Sequence, residues 1–202
     1  MTIANWAAAI VPFTVTQAVP TRASVGAPIT ATTRVSDQHG RGVGNWLVTL
    51  QKMPKGSTHY WSVRSLRTTS SGGATFRFAS GASGHYRWVT WPATGAPSEV
   101  SPAVAVTSIA RVIEERPATS IAHGRYLSVN GSVSLAPDAV VYIHYRVGSG
   151  PWRTASRAAV KGTAVSARIA INLLTSVDTR FYARTTASYS GSISNYFRTA
   201  VE

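Results

Sequence analysis

The chain of 202 residues has no cysteine. Disulfide frameworks, thiolate metal sites and cysteine nucleophiles are therefore excluded, while the redox compartment stays open. Acid is also scarce: seven Asp and Glu stand against 20 Lys and Arg, giving a formal charge of +13. The seven are Asp37, Glu99, Glu114, Glu115, Asp138, Asp178 and Glu202. General acid/base chemistry usually needs two convergent carboxylates. These are scattered over predicted turns, a linker and the terminus, and the adjacent Glu114 and Glu115 would point opposite ways along an extended chain. No apolar run approaches the ~20 residues of a membrane-spanning helix, so no membrane insertion is expected. No segment has a helical period with caps.

The other sparse groups are as uninformative for catalysis. The five histidines, His39, His59, His85, His123 and His144, form no His-x-x-x-His spacing. Asp37 and His39 share a predicted turn with no further ligand nearby. The glycine-rich stretch GRGVGN (40–45) lacks the Lys-Ser/Thr of a phosphate loop and leads into a strand rather than a helix. No Gly-x-Ser-x-Gly elbow occurs. The expectation is a protein that is not an enzyme, with no catalytic residue, cofactor or metal.

What the chain has is alternation. The first half runs through APITATTRVSD (27–37), NWLVTLQKM (45–53), WSVRSLRTT (61–69), ATFRFAS (74–80), HYRWVTWP (85–92) and VSPAVAVTS (100–108). Apolar side chains recur at every second position, as in Trp46, Val48 and Leu50, the mark of strands with one buried face. The gaps between them are Gly, Pro and Ser turns. The second half repeats the plan: Leu127, Val129, Val133 and Leu135 share one face, and Val141, Ile143 and Tyr145 share another. Three stretches align between halves: Leu50…Gly56…Trp61 with Ile143…Gly150…Trp152, Tyr86-Arg87-Trp88 with Tyr182-Ala183-Arg184, and Ser101–Val104 with Ser194–Phe197. The predicted architecture is all-β, two tandem sandwich domains at 12–108 and 109–202 behind an N-terminal extended arm at 1–11. SIARVIEERPATS (108–120) reads as an exposed linker.

The first half resembles the bacterial immunoglobulin-like modules of actinobacterial surface and secreted proteins. The resemblance rests on Val35-Ser36-Asp37 with Gly40 and Val43, on Val48-Thr49-Leu50-Gln51, on Trp61, on Thr69 with Gly73, Thr75 and Phe76, and on Gly84-His85-Tyr86-Arg87-Trp88. It covers about 15–108, and 119–202 more loosely, because the second half lacks the Asp-Gly turn and the Tyr-Arg-Trp triplet. It implies the immunoglobulin-like fold and no activity.

Two surfaces stand out. Trp46, Trp61, Trp88 and Trp152 fall where such sandwiches place core or core-edge rings. If Tyr86 and Trp88 face inward, Arg87, Val89 and Trp91 face outward, either as a candidate contact row or as a surface covered by the other domain. The apolar start MTIANWAAAIVPF has no Lys or Arg ahead of it, and Pro12 closes it early, so it reads as retained rather than cleaved. It is either a first strand with a disordered tip or an arm that Trp6, Ile10, Val11 and Phe13 would anchor on a particle or a neighbouring subunit.

Charge adds a partner class. Residues 12–108 hold nine basic and two acidic side chains and residues 109–202 hold eleven and five, so the excess is +7 and +6 with no basic run in either. Nucleic acid is not the expected partner; acidic capsid protein or an acidic host envelope polymer is. Arg outnumbers Lys seventeen to three, a bias that suits a GC-rich genome. The expected function is a non-enzymatic structural protein of an actinobacterial bacteriophage virion, a capsid decoration or tail component, homo-oligomeric or lattice-bound. It would be made in the host cytoplasm and released by lysis. The alternative is a secreted or cell-wall adhesion or carbohydrate-binding module.

Overall fold

A computed structural model describes residues 14–91, 99–134, 140–161, 163–172, 175–186 and 188–202. These residues hold strands and no helix. By its contacts the chain divides into two compact units. The first holds residues up to Thr21, Pro28–Phe78 and Gly84–Val106; the second holds Arg22–Ala27, Ala79–Ser83 and Thr107–Glu202. The sequence places the division at 108/109. The structure moves it to Val106/Thr107 and assigns two short earlier segments to the second unit. The reason is hydrogen bonding: Val25 N–H donates to Ile109 O, Gly26 N–H to Ser80 O and Ser83 N–H to Ser188 O.

The first eight strands are β1 (Thr14–Ala18), β2 (Arg22–Ser24), β3 (Pro28–Ser36), β4 (Leu47–Pro54), β5 (Trp61–Arg67), β6 (Gly73–Ala79), β7 (Gly84–Thr90) and β8 (Val104–Ile109). One sheet has the order β1-β3-β6 and another the order β2-β8-β7-β4-β5. The alternation seen in the sequence explains the layering. Val15, Ala31, Val35, Val48, Leu50, Ala74, Tyr86, Trp88 and Val106 all come from inward positions and form one core. Trp88 and Leu50 are fully buried.

The remaining strands are β9 (Val112–Glu114), β10 (Ser120–Ile121), β11 (Tyr126–Val133), β12 (Val141–Val147), β13 (Arg153–Arg157), β14 (Ala159–Lys161), β15 (Ala164–Ala170), β16 (Val177–Ala183), β17 (Ser192–Ile193) and β18 (Phe197–Val201). They form sheets β14-β15-β11-β9 and β10-β18-β16-β12-β13, with β17 on β16. Leu127, Val129 and Val133 of β11 meet Val141 and Ile143 of β12 and Phe181 of β16 in the second core. Leu135, assigned to the same face by periodicity, lies outside the described residues.

In the stretch expected to be an exposed linker, residues 115–120 are largely exposed, but the part before them is structural. Ala110, Val112 and Glu114 are buried, and β9 pairs with β11 through Gly131↔Glu114. Glycine is needed at 131 because any side chain would collide with the Ile113 carbonyl and the Phe181 ring.

The units repeat one another in detail. The ladder β4–β5 shifts register between Leu50 and Gln51; β12–β13 shifts between Ile143 and His144. Trp88 N–H donates to Ser101 Oγ at 2.9 Å, and Phe181 N–H donates to Ser194 Oγ at 2.9 Å. Ser101 Oγ then donates to Pro102 O, and Ser194 Oγ to Asn195 O. The alignments of Leu50 with Ile143 and of Ser101 with Ser194 therefore have structural counterparts. That of Tyr86-Arg87-Trp88 does not. Leu50 pairs with Trp88 and Ile143 with Phe181, so the match is Thr179-Arg180-Phe181.

Each serine satisfies a buried main-chain donor. Ser101→Ala and Ser194→Ala are each expected to destabilise their own unit by roughly 1–3 kcal/mol, the cost of an orphaned buried N–H. Urea unfolding with hydrogen exchange at the Trp88 and Phe181 amides reads this out. Unchanged protection in both variants would refute it.

Candidate binding face

In β12 the inward phase is Val141 and Ile143, which leaves Tyr142, His144 and Arg146 on the outer face. In β16, Thr179, Phe181 and Ala183 point in, and Asp178, Arg180 and Tyr182 share the outer face. Cross-strand register then sets Tyr142 against Tyr182, His144 against Arg180 and Arg146 against Asp178. The outer side of this sheet is thus a panel of rings and guanidiniums rather than a plain polar surface.

Asp178 anchors one end. It is 1% exposed and accepts from Arg198 Nε at 2.7 Å, Arg198 Nη2 at 3.0 Å and Arg146 Nε at 2.8 Å. Those bonds, Arg198's first, hold its carboxyl below the usual range despite burial. Beside it the rings interleave with the cations. Arg180 lies 3.9 Å over the Trp152 ring and Arg146 lies 4.8 Å from it, while Arg146 is also 4.9 Å from the Tyr196 ring. The Trp152 face is therefore covered by guanidiniums.

At the other end a shallow hollow of about 250 Å³ is lined by Tyr142, His144, Thr154, Tyr182 and Arg184. The His144 ring stacks on Tyr182, centroids 5.1 Å apart. Burial and then the Arg180 charge lower the pKa of His144, so the ring is neutral at neutral pH. Nδ1 of His144 and Nε of Arg180 are buried with no hydrogen-bond partner among the described residues. A larger cleft of about 420 Å³ opens beside β13 and β15, but Arg168 is the one ionised side chain in its lining.

The first unit carries a simpler version in the matching place. Arg87 lies 3.7 Å over the Tyr60 ring and donates from Nε to Gln51 Oε1 at 3.0 Å. Matching the two register shifts puts Tyr60 at the Trp152 position and Arg87 at the Arg180 position. Sequence spacing suggests Trp61 for that role and for the core. The structure overturns this: Trp61 is 67% exposed at the start of the outermost strand. The bulge leaves Val63 unpaired and turns Tyr60, not Trp61, onto the packed outer face. Trp88 is in the core as expected; Trp46 and Trp152 are half-buried.

In the predicted contact row, Arg87 is half-buried under its Tyr60 and Gln51 contacts, Val89 is 5% exposed and Trp91 is 47% exposed. Trp91 Nε1 donates to Thr49 Oγ1 at 2.9 Å, which lays the indole across β4. The arm residues Trp6, Ile10, Val11 and Phe13 lie outside the described residues.

Other candidates resolve into structure. Asp37 Oδ1 accepts from the His39 and Arg41 amides, each at 2.9 Å, and ties off a turn. Among the described residues, no three of His, Asp and Glu gather closely enough to hold a metal. Glu114 and Asp178 do not converge. Glu114 bonds to Thr179 on the inner side of β16, while Asp178 faces out. No protein-family model matches the chain, and no curated protein matches its sequence.

Proposed function

We propose that this chain is a non-enzymatic virion protein of an actinobacterial phage, a capsid decoration or tail component built from two tandem immunoglobulin-like sandwiches. The strand order in each unit, a β1-β3-β6-type sheet facing a sheet that ends in β4-β5, supports the immunoglobulin-like reading. The observation that carries the functional reading is the arginine laid on an aromatic ring at the same outer position of both units, Arg87 on Tyr60 and Arg180 on Trp152. Folding does not require a cation on an outer face. A repeated one suits a partner that presents acidic groups repeatedly, as a capsid lattice or a charged envelope polymer does. The charge of +13 acts in the same direction.

A second reading, a cell-wall or secreted adhesion module, is favoured by the ring-lined hollow of the second unit. Density-gradient fractionation of the native source, with peptide mass spectrometry on each fraction, separates the two. Co-banding with DNA-containing particles is the expected result, and stoichiometry then divides shell from tail. Recovery with cell walls or medium alone would overturn the particle reading.

A further inference from the structure

We propose that the hollow between Tyr142, His144, Thr154, Tyr182 and Arg184 is a binding site for an anionic sugar residue. Its ring would lie along the two tyrosines, and its carboxylate or phosphate would meet Arg184. The site does not depend on the particle reading above: a sugar acid can be bound by a virion or by a wall protein.

Three observations converge. The first is charge. Four guanidiniums, Arg146, Arg180, Arg184 and Arg198, stand on this face, and the carboxylate of Asp178 is taken by Arg146 and Arg198. Among the described residues, Arg184 has no acidic partner and Arg180 Nε has no hydrogen-bond partner. A planar guanidinium fork suits carboxylate and phosphate alike. The second is shape. About 250 Å³ falls below the roughly 300–1,000 Å³ of sites for drug-sized ligands, so the hollow suits one ring rather than a nucleotide. The third is chemistry of the walls. Tyr142 and Tyr182 offer apolar faces with hydroxyl tips, and Thr154 adds a hydroxyl. Nucleic acid would need an open stacking platform, yet the Trp152 face is closed by Arg180 and Arg146.

His144 gives the site a signature. Around it are Arg180 and Tyr182 on β16, Thr154 on β13, and Tyr142 and Arg146 on its own strand. Burial and Arg180 keep its ring neutral. A bound anion offsets the Arg180 field and lets the ring accept a proton. Binding then favours proton uptake, so affinity for an anionic sugar should be higher at pH 5.5 than at pH 7.5. A neutral sugar shows no such rise.

The test is calorimetric titration of the full chain with a uronic-acid oligosaccharide, a sugar phosphate, a neutral oligosaccharide and a single-stranded oligothymidylate, at both pH values. His144 ring signals are followed by NMR. The expected result is binding of one or both charged sugars, which separates carboxylate from phosphate, with movement of the His144 signals. Arg184→Ala should weaken it about tenfold or more, and Arg184→Lys should restore part of it. Arg184 is exposed, so thermal unfolding of these variants should match the parent. Three results would each overturn the site: no response to charged sugars at about 1 mM, binding of the oligothymidylate alone, or unchanged binding by Arg184→Ala.

Discussion

At pH 8, Glu114→Gln should stabilise the second unit by up to about 3 kcal/mol, and at pH 4.5 it should change little. Glu114 is 5% exposed on β9. Its Oε1 accepts from Thr179 Oγ1 at 2.7 Å, and its Oε2 lies 3.5 Å from Ser194 Oγ. A hydroxyl has one proton, and Ser194 gives its own to Asn195 O at the shorter distance of 2.6 Å. One good hydrogen bond does not offset burial of a charge, and desolvation pushes the pKa from 4.5 up to about 7. The folded unit therefore holds a proton that the unfolded chain has released. Stability is greatest below the unfolded pKa, declines as pH rises from 4.5 to about 7, and is flat above. The glutamine keeps an acceptor for Thr179 and offers Ser194 a donor, so the decline should vanish. Urea unfolding at both pH values, with protection of β16 amides as the readout, checks this. A parent unit equally stable at pH 4.5 and pH 8 would remove the basis for it. Asp178 works oppositely. Its depressed pKa gives stability that is present above the unfolded value of 3.8 and lost as pH falls through the folded one.

Trp88→Ala should cost the first unit about 3–5 kcal/mol, a large part of what a domain this size has in hand. The indole is fully buried among Val35, Val48, Leu50 and Ala74, and the opposite side of the same strand carries Arg87 on Tyr60. Nothing of comparable size can collapse into the space. Trp88→Phe should cost far less, about 1–2 kcal/mol, because the indole N–H is buried without an acceptor among the described residues and its loss is favourable. Urea unfolding with exchange protection of β4 and β7 compares the two. Equal losses in both would mean that the N–H has a partner or that the ring volume is not what holds the layers apart.

The inward phase was legible wherever alternation was clean. Val48, Leu50, Tyr86, Trp88, Val141 and Ile143 are placed by periodicity alone. What was not legible depends on register. A bulge adds one residue to β5 and one to β13, and parity beyond it cannot be read from spacing, so Tyr60 and Trp61 exchange roles. Glu114 was misplaced because charge and a following proline mimic a linker, while its burial depends on Thr179, far off in sequence. The outer face of rings and guanidiniums was missed for a related reason. Its members come from β12, β13, β16 and the approach to β18, and each one alone looks like an ordinary solvent-facing residue. The available signal was the outward phase of β12, Tyr142-His144-Arg146, which is aromatic and basic where a plain solvent face would be Ser and Thr.

β5 and β13 end their sheets, and β13 is exposed along its whole length. An open ladder edge invites a second molecule to extend the sheet, the first step toward fibres. Both strands carry arginines, Arg64 and Arg67 on one and Arg153 and Arg157 on the other. Two such edges approaching each other bring like charges within a few ångströms. That repulsion reaches only ~8 Å at physiological ionic strength and ~3 Å at 1 M salt. The chain should therefore stay dispersed in dilute buffer and self-associate in concentrated salt or on a polyanion that masks those side chains.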